Sequence, residues 1–257
     1  NVIFTSGIEA IGSSAFYECV SLKSVDLPDT VKTIREQAFR NCRALASVNL
    51  PDGITSLGSM VFAGDTSLTS FRFPLSYSNV PAQTFYDCTS LTNIVLHDAI
   101  TRIYGSAFYN CSALERIHLP ANLQRIESDA FGLCGSLREI VIPDGVTYIG
   151  GMAFRHCRSL ESVQLPSGLI EIGGAAFFNC ESLREIVIPA SVTKLNDRQF
   201  AGGLYALESV RFMGEPPSVS SWNSTFGEGT ASHEFTVYYP VEFSTAWSGP
   251  VTEITAM

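Results

Sequence analysis

Every thiol in the chain belongs to one series: Cys19, Cys42, Cys88, Cys111, Cys134, Cys157 and Cys180 each follow, by three residues, a phenylalanine that recurs at a constant interval. Cysteines at such even spacing raise two possibilities, disulfide bonds and a zinc site. On a stacked ladder their Cα atoms would be ~5 Å apart, inside the disulfide range. Same-facing side chains have the wrong Cβ vectors for that bond, and seven is an odd number. Zinc needs four ligands converging from different directions, which a linear column does not provide. The thiols are expected to be buried and reduced, packing as small hydrophobes.

The four histidines, His97, His118, His156 and His233, show no nucleophile or metal-ligand spacing. His97 stands at a proline slot in a turn, and His156 falls where other units carry Asn or Asp. G-x-S-x-G, H-E-x-x-H and P-loop motifs are absent from the sequence. The pairs Gly150-Gly151 and Gly173-Gly174 share one repeat phase, which marks them as turn residues rather than phosphate cradles. No catalytic residue, metal site or cofactor is expected, and the chain reads as non-enzymatic.

The elements that carry these residues follow from the period. The phenylalanines run Phe16, Phe39, Phe62, Phe85, Phe108, Phe131, Phe154, Phe177 and Phe200, with Asp65 and Gly203 in the two slots that lack cysteine. A leucine follows each by six residues from Leu22 to Leu183, and Leu207 arrives one residue late. Segments such as Leu22-x-x-Val25-x-Leu27 alternate inward and outward, the pattern of a half-buried strand. A proline ends most of these strands, because it has no N–H to give a ladder. Val31-x-x-Ile34 turns two more apolar side chains inward, and the Ala-Phe-x-x-Cys segment is expected to form a single α or 3₁₀ turn. A unit as short as the step from Phe16 to Phe39 cannot bury its own apolar side, whereas stacked units cover one another.

The unit S-L-x-x-V/I-x-L-P-x-x-V/I-x-x-I-x-x-x-A-F-x-x-C resembles the bacterial BspA-like leucine-rich repeat over residues 2–212. The resemblance implies a right-handed leucine-rich-repeat solenoid, β-rich with short helical turns, of about nine coils. The slot where the general leucine-rich pattern expects Asn holds Asn only at Asn122. Residues 1–212 are read as the solenoid with a truncated first repeat, and 213–257 as an integral C-terminal cap plugged by Trp222 and Trp247. The resemblance further implies a secreted or surface-attached bacterial protein in adhesion or recognition, placed extracellularly or at the cell surface.

Composition narrows the partners. The formal charge is −9, from 25 acidic and 16 basic residues, and 46% of the chain is hydrophobic. Nucleic acid and anionic membrane surfaces, which select clustered Lys and Arg, are disfavoured. No apolar run reaches the ~18 residues of a membrane span. A protein or glycoprotein ligand is expected, bound on columns of outward side chains. Val95, Val141 and Val187 should face solvent beside Arg116, His118, Glu139 and Glu185, a mixed apolar and charged strip of the kind protein interfaces use. A second candidate lies on the turn side, where Tyr86 and Tyr109 share one slot and Tyr104 is near in sequence. The alternative is a structural spacer within a larger surface protein. A monomer is expected; because the chain starts in mid-strand, a dimer through the open first coil is the other arrangement.

Overall fold

The computed structural model describes residues 2, 4, 7–200, 202–220, 225, 235–241 and 254–256. Trp222, Trp247 and His233 lie outside them. The chain winds as a parallel β-solenoid, and each coil but the fifth places two short strands on two different ladders. The first ladder contains Ser24–Asp26, Ser47–Asn49, Ser70–Arg72, Asn93–Val95, Glu139–Val141, Ser162–Gln164, Glu185–Ile188 and Ser209–Phe212, and continues through Thr236–Tyr239 and Ile254–Ala256. The second holds two-residue strands, from Ala10–Ile11 and Thr33–Ile34 to Lys194–Leu195. Strand partners such as Ser24↔Ser47 and Arg125↔Tyr148 are equivalent positions of successive units. The repeat period is therefore the ladder register.

Between the ladders lies the Ala-Phe-x-x-Cys segment, and here the structure corrects the expected helical turn. Bonds from Ala15 N to Gly12 O, Tyr17 N to Ser14 O and Cys19 N to Phe16 O close successive short turns. The N–H groups in between point sideways: Ser14, Phe16 and Glu18 donate to Glu36, Ala38 and Arg40 of the next coil. This alternation requires positive φ two residues before and after each phenylalanine, as at Gln37 (59°) and Asn41 (63°). A helix would spend all these N–H groups within the coil, whereas the turns share them and tie the coils together. At Gly64, with φ of 79°, a Cβ would also collide with Asn41 Oδ1.

The core is a set of columns. Phe39, Phe62, Phe85, Phe108, Phe131, Phe154 and Phe177 are all fully buried. Their rings stack nearly parallel, with centroids 5.2 Å apart for Phe108–Phe131 and 5.4 Å for Phe131–Phe154. The cysteines are free thiols, buried except for the half-buried Cys19. Six of them donate to the phenylalanine carbonyl of the preceding coil, from Cys42 Sγ to Phe16 O at 3.0 Å to Cys180 Sγ to Phe154 O at 3.2 Å.

Coil three interrupts the pattern. Phe71 and Phe73 join the column edge-on, with Phe71 4.9 Å from Phe85. Asp65 replaces the thiol and is completely buried. The second ladder also breaks here, between Ser56–Leu57 and Asn79–Val80. At neighbouring junctions Gly58 N donates to Ile34 O and Tyr104 N to Val80 O. The matching donor to Leu57 O would be residue 81, which is proline and has no N–H.

Candidate binding face

The first ladder is less continuous than the repeat suggests, and the reason is local. Coils four, six and eight carry Ile94-Val95-Leu96, Ile140-Val141-Ile142 and Ile186-Val187-Ile188, runs rich in β-branched residues that suit a strand. Coils five and seven place His118 and Gln164 at the central outward position instead. Residues 114–120 of coil five form no strand at all. Arg138 N reaches Glu115 O at 3.1 Å, and the backbones then part. Coils seven and eight pair only at Ser162↔Glu185 before they diverge. Where the ladder opens, Ile117 and Val163 are half-buried, although Ile94, Ile140 and Ile186 in the same position are buried.

Each opening is a groove. The one between coils five and six encloses about 640 Å³, with Ile117 at its floor and Arg116, His118, Glu139, Val141 and Asp144 around it. The one between coils seven and eight encloses about 490 Å³ and is lined by Val163, Gln164, Leu165, Val187 and Met213 among others. The expected strip residues are thus partly brought together. Arg116, His118, Glu139 and Val141 share the first groove, and Val187 belongs to the second. Val95 is 47% exposed but lines neither. Glu185 accepts from Arg211 Nε at 2.8 Å, and the Arg211 guanidinium lies 4.3 Å from the Tyr238 ring centroid. Arg116 and Glu139 pair at 3.5 Å with most of both side chains in water, so the pair contributes under ~1 kcal/mol and is available for exchange with a ligand. Sequence reading missed Ile117, Asp144, Val163 and Met213. The alternation of Ile-Val-Ile coils with polar-centred coils was the signal that would have found the floors.

On the turn side, Tyr86 and Tyr109 stack 4.7 Å apart. The next slot is Gly132, where a Cβ would come within 3.0 Å of the Tyr109 ring. That gap lets Arg155 reach back two coils: its guanidinium lies 5.3 Å from the Tyr109 centroid and donates to Tyr109 Oη at 3.0 Å. Asp129 Oδ1 accepts from Arg155 Nε at 2.5 Å and holds it there. Burial raises the Tyr86 phenol, and burial first, then the Arg155 and Arg158 charges, lower the His156 imidazole. Tyr104 does not extend this stack; it lies beneath Arg102, 4.7 Å from ring centroid to guanidinium. With both ring faces of Tyr109 occupied, this cluster satisfies itself and offers less to a ligand than the grooves do.

Among the described residues, no group of three His, Cys, Asp or Glu side chains is arranged to hold a metal ion, and no helix is long and apolar enough to cross a membrane. Parallel coils, buried leucine columns and repeat-built outward faces define a leucine-rich-repeat solenoid. The chain belongs to the BspA-type leucine-rich repeat family, whose profile matches residues 1–115 and 78–208. Among solved structures, a leucine-rich repeat protein from Bacteroides ovatus is 24% identical with a TM-score of 0.75, covering 97% of this chain and 64% of its own. A leucine-rich repeat protein from Eubacterium ventriosum is 22% identical with a TM-score of 0.61, covering 92% and 65%. A leucine rich cell surface protein from Faecalibacterium prausnitzii is 27% identical with a TM-score of 0.49, covering 93% and 79%. The first two share the fold, and this chain spans less than two thirds of their length. A search of curated proteins found no match.

Proposed function

We propose that the chain is a non-catalytic recognition module of a bacterial surface or secreted protein, which binds a protein or glycoprotein through the first-ladder strip. One observation carries the reading: four outward residues selected for their mixed chemistry, Arg116, His118, Glu139 and Val141, converge on a groove of about 640 Å³. Its floor is a half-buried Ile117 rather than closed backbone. An apolar floor with a charged rim is the anatomy of a protein interface. A stacked, hydrogen-bonded scaffold holds the groove in shape before binding, which lowers the entropic cost of association.

Biolayer interferometry over immobilised matrix and mucin glycoproteins tests this. A reversible signal lost in an Arg116→Glu/His118→Ala double variant is the expected result. Both positions are exposed, so the fold, checked by circular dichroism, stays intact. A signal that survives this change and fails in Tyr86→Ala/Tyr109→Ala would move recognition to the turn side. No binding by a folded chain would favour a spacer role.

A further inference from the structure

Two arginines stand side by side on the second ladder. Arg125 pairs in register with Arg102 on one side and with Tyr148 on the other. Like charges directly opposite each other on a ladder repel, and a single carboxylate answers both. Glu127 Oε1 accepts from Arg102 Nε at 2.8 Å, from Arg102 Nη2, and from Arg125 Nε at 3.0 Å. Two guanidiniums against one carboxylate leave one positive charge in excess. The next acidic residue along the ladder, Glu171, is engaged by Lys194 Nζ at 2.8 Å and Asn196 Nδ2 at 3.0 Å. Fields fade over ~8 Å at physiological salt. For a small ligand, this local excess therefore counts for more than the formal −9 of the chain.

The excess charge is held in a fixed shape. The Arg102 guanidinium lies 4.7 Å from the Tyr104 ring centroid, and that of Arg125 lies 4.1 Å from the Tyr148 centroid. Ring contact and the shared carboxylate set both planes, so binding has little side-chain freedom left to remove. The arginine side chains are 37% and 40% exposed, whereas Glu127 between them is 17% exposed. Arg125 Nη1 and Nη2 and Arg102 Nη1 have no acceptor among the described residues. Such a fork suits two oxygens of one anion. Neither tyrosine hydroxyl has a hydrogen-bond partner among the described residues, although Tyr104 is 37% exposed. Beyond Glu127 the row continues as Gly150 and Gly173, where a Cβ would lie 2.3 Å from Ser128 N and 2.2 Å from Gly151 N. The patch is therefore bordered by bare backbone. We propose that it binds an acidic sugar unit, with the carboxylate or sulfate on the two arginine forks and the sugar hydroxyls at the two tyrosines. A protein anchor fills an apolar pocket, and Arg102, Tyr104, Arg125, Glu127, Tyr148 and Gly150 offer no aliphatic side chain to line one. The site is separate from the first-ladder strip and does not depend on it.

Saturation-transfer difference NMR on the whole chain tests this with methyl glucuronide, glucose sulfate and the neutral methyl glucoside. At least one acidic sugar should bind saturably with a Kd of about millimolar, and the neutral one at least ~tenfold more weakly. Whichever acid binds identifies the anionic group as carboxylate or sulfate. Arg102→Gln and Arg125→Gln, with circular dichroism as the check on folding, should each weaken that binding at least ~fivefold. Arg138→Gln, at an exposed arginine of the first ladder, should leave it unchanged. Glu127→Gln keeps an acceptor for both arginines and removes the opposing charge, so binding should tighten by a factor that shrinks in high salt. The proposal is overturned by no saturable binding of either acid, by equal binding of methyl glucoside, by equal losses in Arg125→Gln and Arg138→Gln, or by weaker binding in Glu127→Gln. Tighter binding of the acidic peptide Glu-Ser-Glu-Ser would also overturn it and make the patch a protein contact. Loss of sugar binding in Arg116→Glu/His118→Ala would move the sugar to the strip, so this site falls while the recognition face stands.

Discussion

The carbonyl of a column phenylalanine accepts twice, once from the backbone N–H three residues on and once from the thiol of the next coil. Phe16 O takes Cys19 N at 3.1 Å and Cys42 Sγ at 3.0 Å. The cysteine therefore does more than fill space: it is a small donor that satisfies a second lone pair in a dry column. Burial pushes the thiols up, with Cys42 and Cys134 reaching about 12, so they remain donors at physiological pH. Asp65 sits in the same slot with the opposite tendency. Its Oδ1 accepts from Cys42 N at 2.8 Å, and its buried Oδ2 has no partner. Burial raises its carboxyl from 3.8 to about 9. The folded state thus holds a proton that the unfolded state releases near 3.8. Stability from this group is complete below that value and is lost as pH rises towards about 9. Asp65→Cys should restore the missing donor, adding roughly 1–3 kcal/mol. Thermal melts at about pH 5 and about pH 8.5 should show a smaller drop in Tm for the variant than for the parent. An equal drop in both would remove Asp65 as the cause.

At the scale of the element, the ladder break at Pro81 comes with its own repair. Leu57 O, left without a backbone donor by the proline, accepts from Tyr77 Oη at 3.0 Å. Tyr77 occupies the slot of Val31, Ile54 and Ile100, and only a tyrosine among these places a hydroxyl at the empty acceptor. Tyr77→Phe keeps the ring and removes the donor, so a loss of about 1–3 kcal/mol in urea unfolding is expected. Adding Pro81→Ala to that variant returns an N–H and should recover most of the loss. If the double variant is no more stable than Tyr77→Phe alone, the compensation argument fails. Tyr77 thus supplies a hydrogen bond as well as a packed ring.

For the whole molecule, stability depends on each coil covering the next. Exposed ion pairs such as Arg138–Glu161 at 3.9 Å and Arg184–Glu208 at 3.4 Å contribute little. The phenylalanine column, buried from Phe39 to Phe200, links coil to coil. Phe131 stacks on both Phe108 and Phe154, so Phe131→Ala should cost about 3–5 kcal/mol. It also removes coupling between the two halves of the array, and urea unfolding followed by circular dichroism should broaden or divide into two steps. A single transition of unchanged slope would show that the column does not couple the halves.

The sequence by itself determined the period, the parallel register, the inward columns and the fate of the thiols. A side chain that recurs at one fixed interval, as Phe39, Phe62 and Phe85 do, has its own copies as neighbours once the coils stack. The sequence also showed that Val95, Val141 and Val187 would face water, because strand alternation is a local property. Several features depended on tertiary structure. Whether two adjacent coils stay hydrogen-bonded is a property of the pair, so the openings at coils five and seven could not be read from either coil alone. The reach of Arg155 across Gly132 to Tyr109 depends on a missing side chain in the coil between them. The succession of short turns with single positive-φ residues, in place of a helical turn, arises because alternate N–H groups are drawn to the next coil, a partner that the local spacing of Ala-Phe-x-x-Cys does not contain.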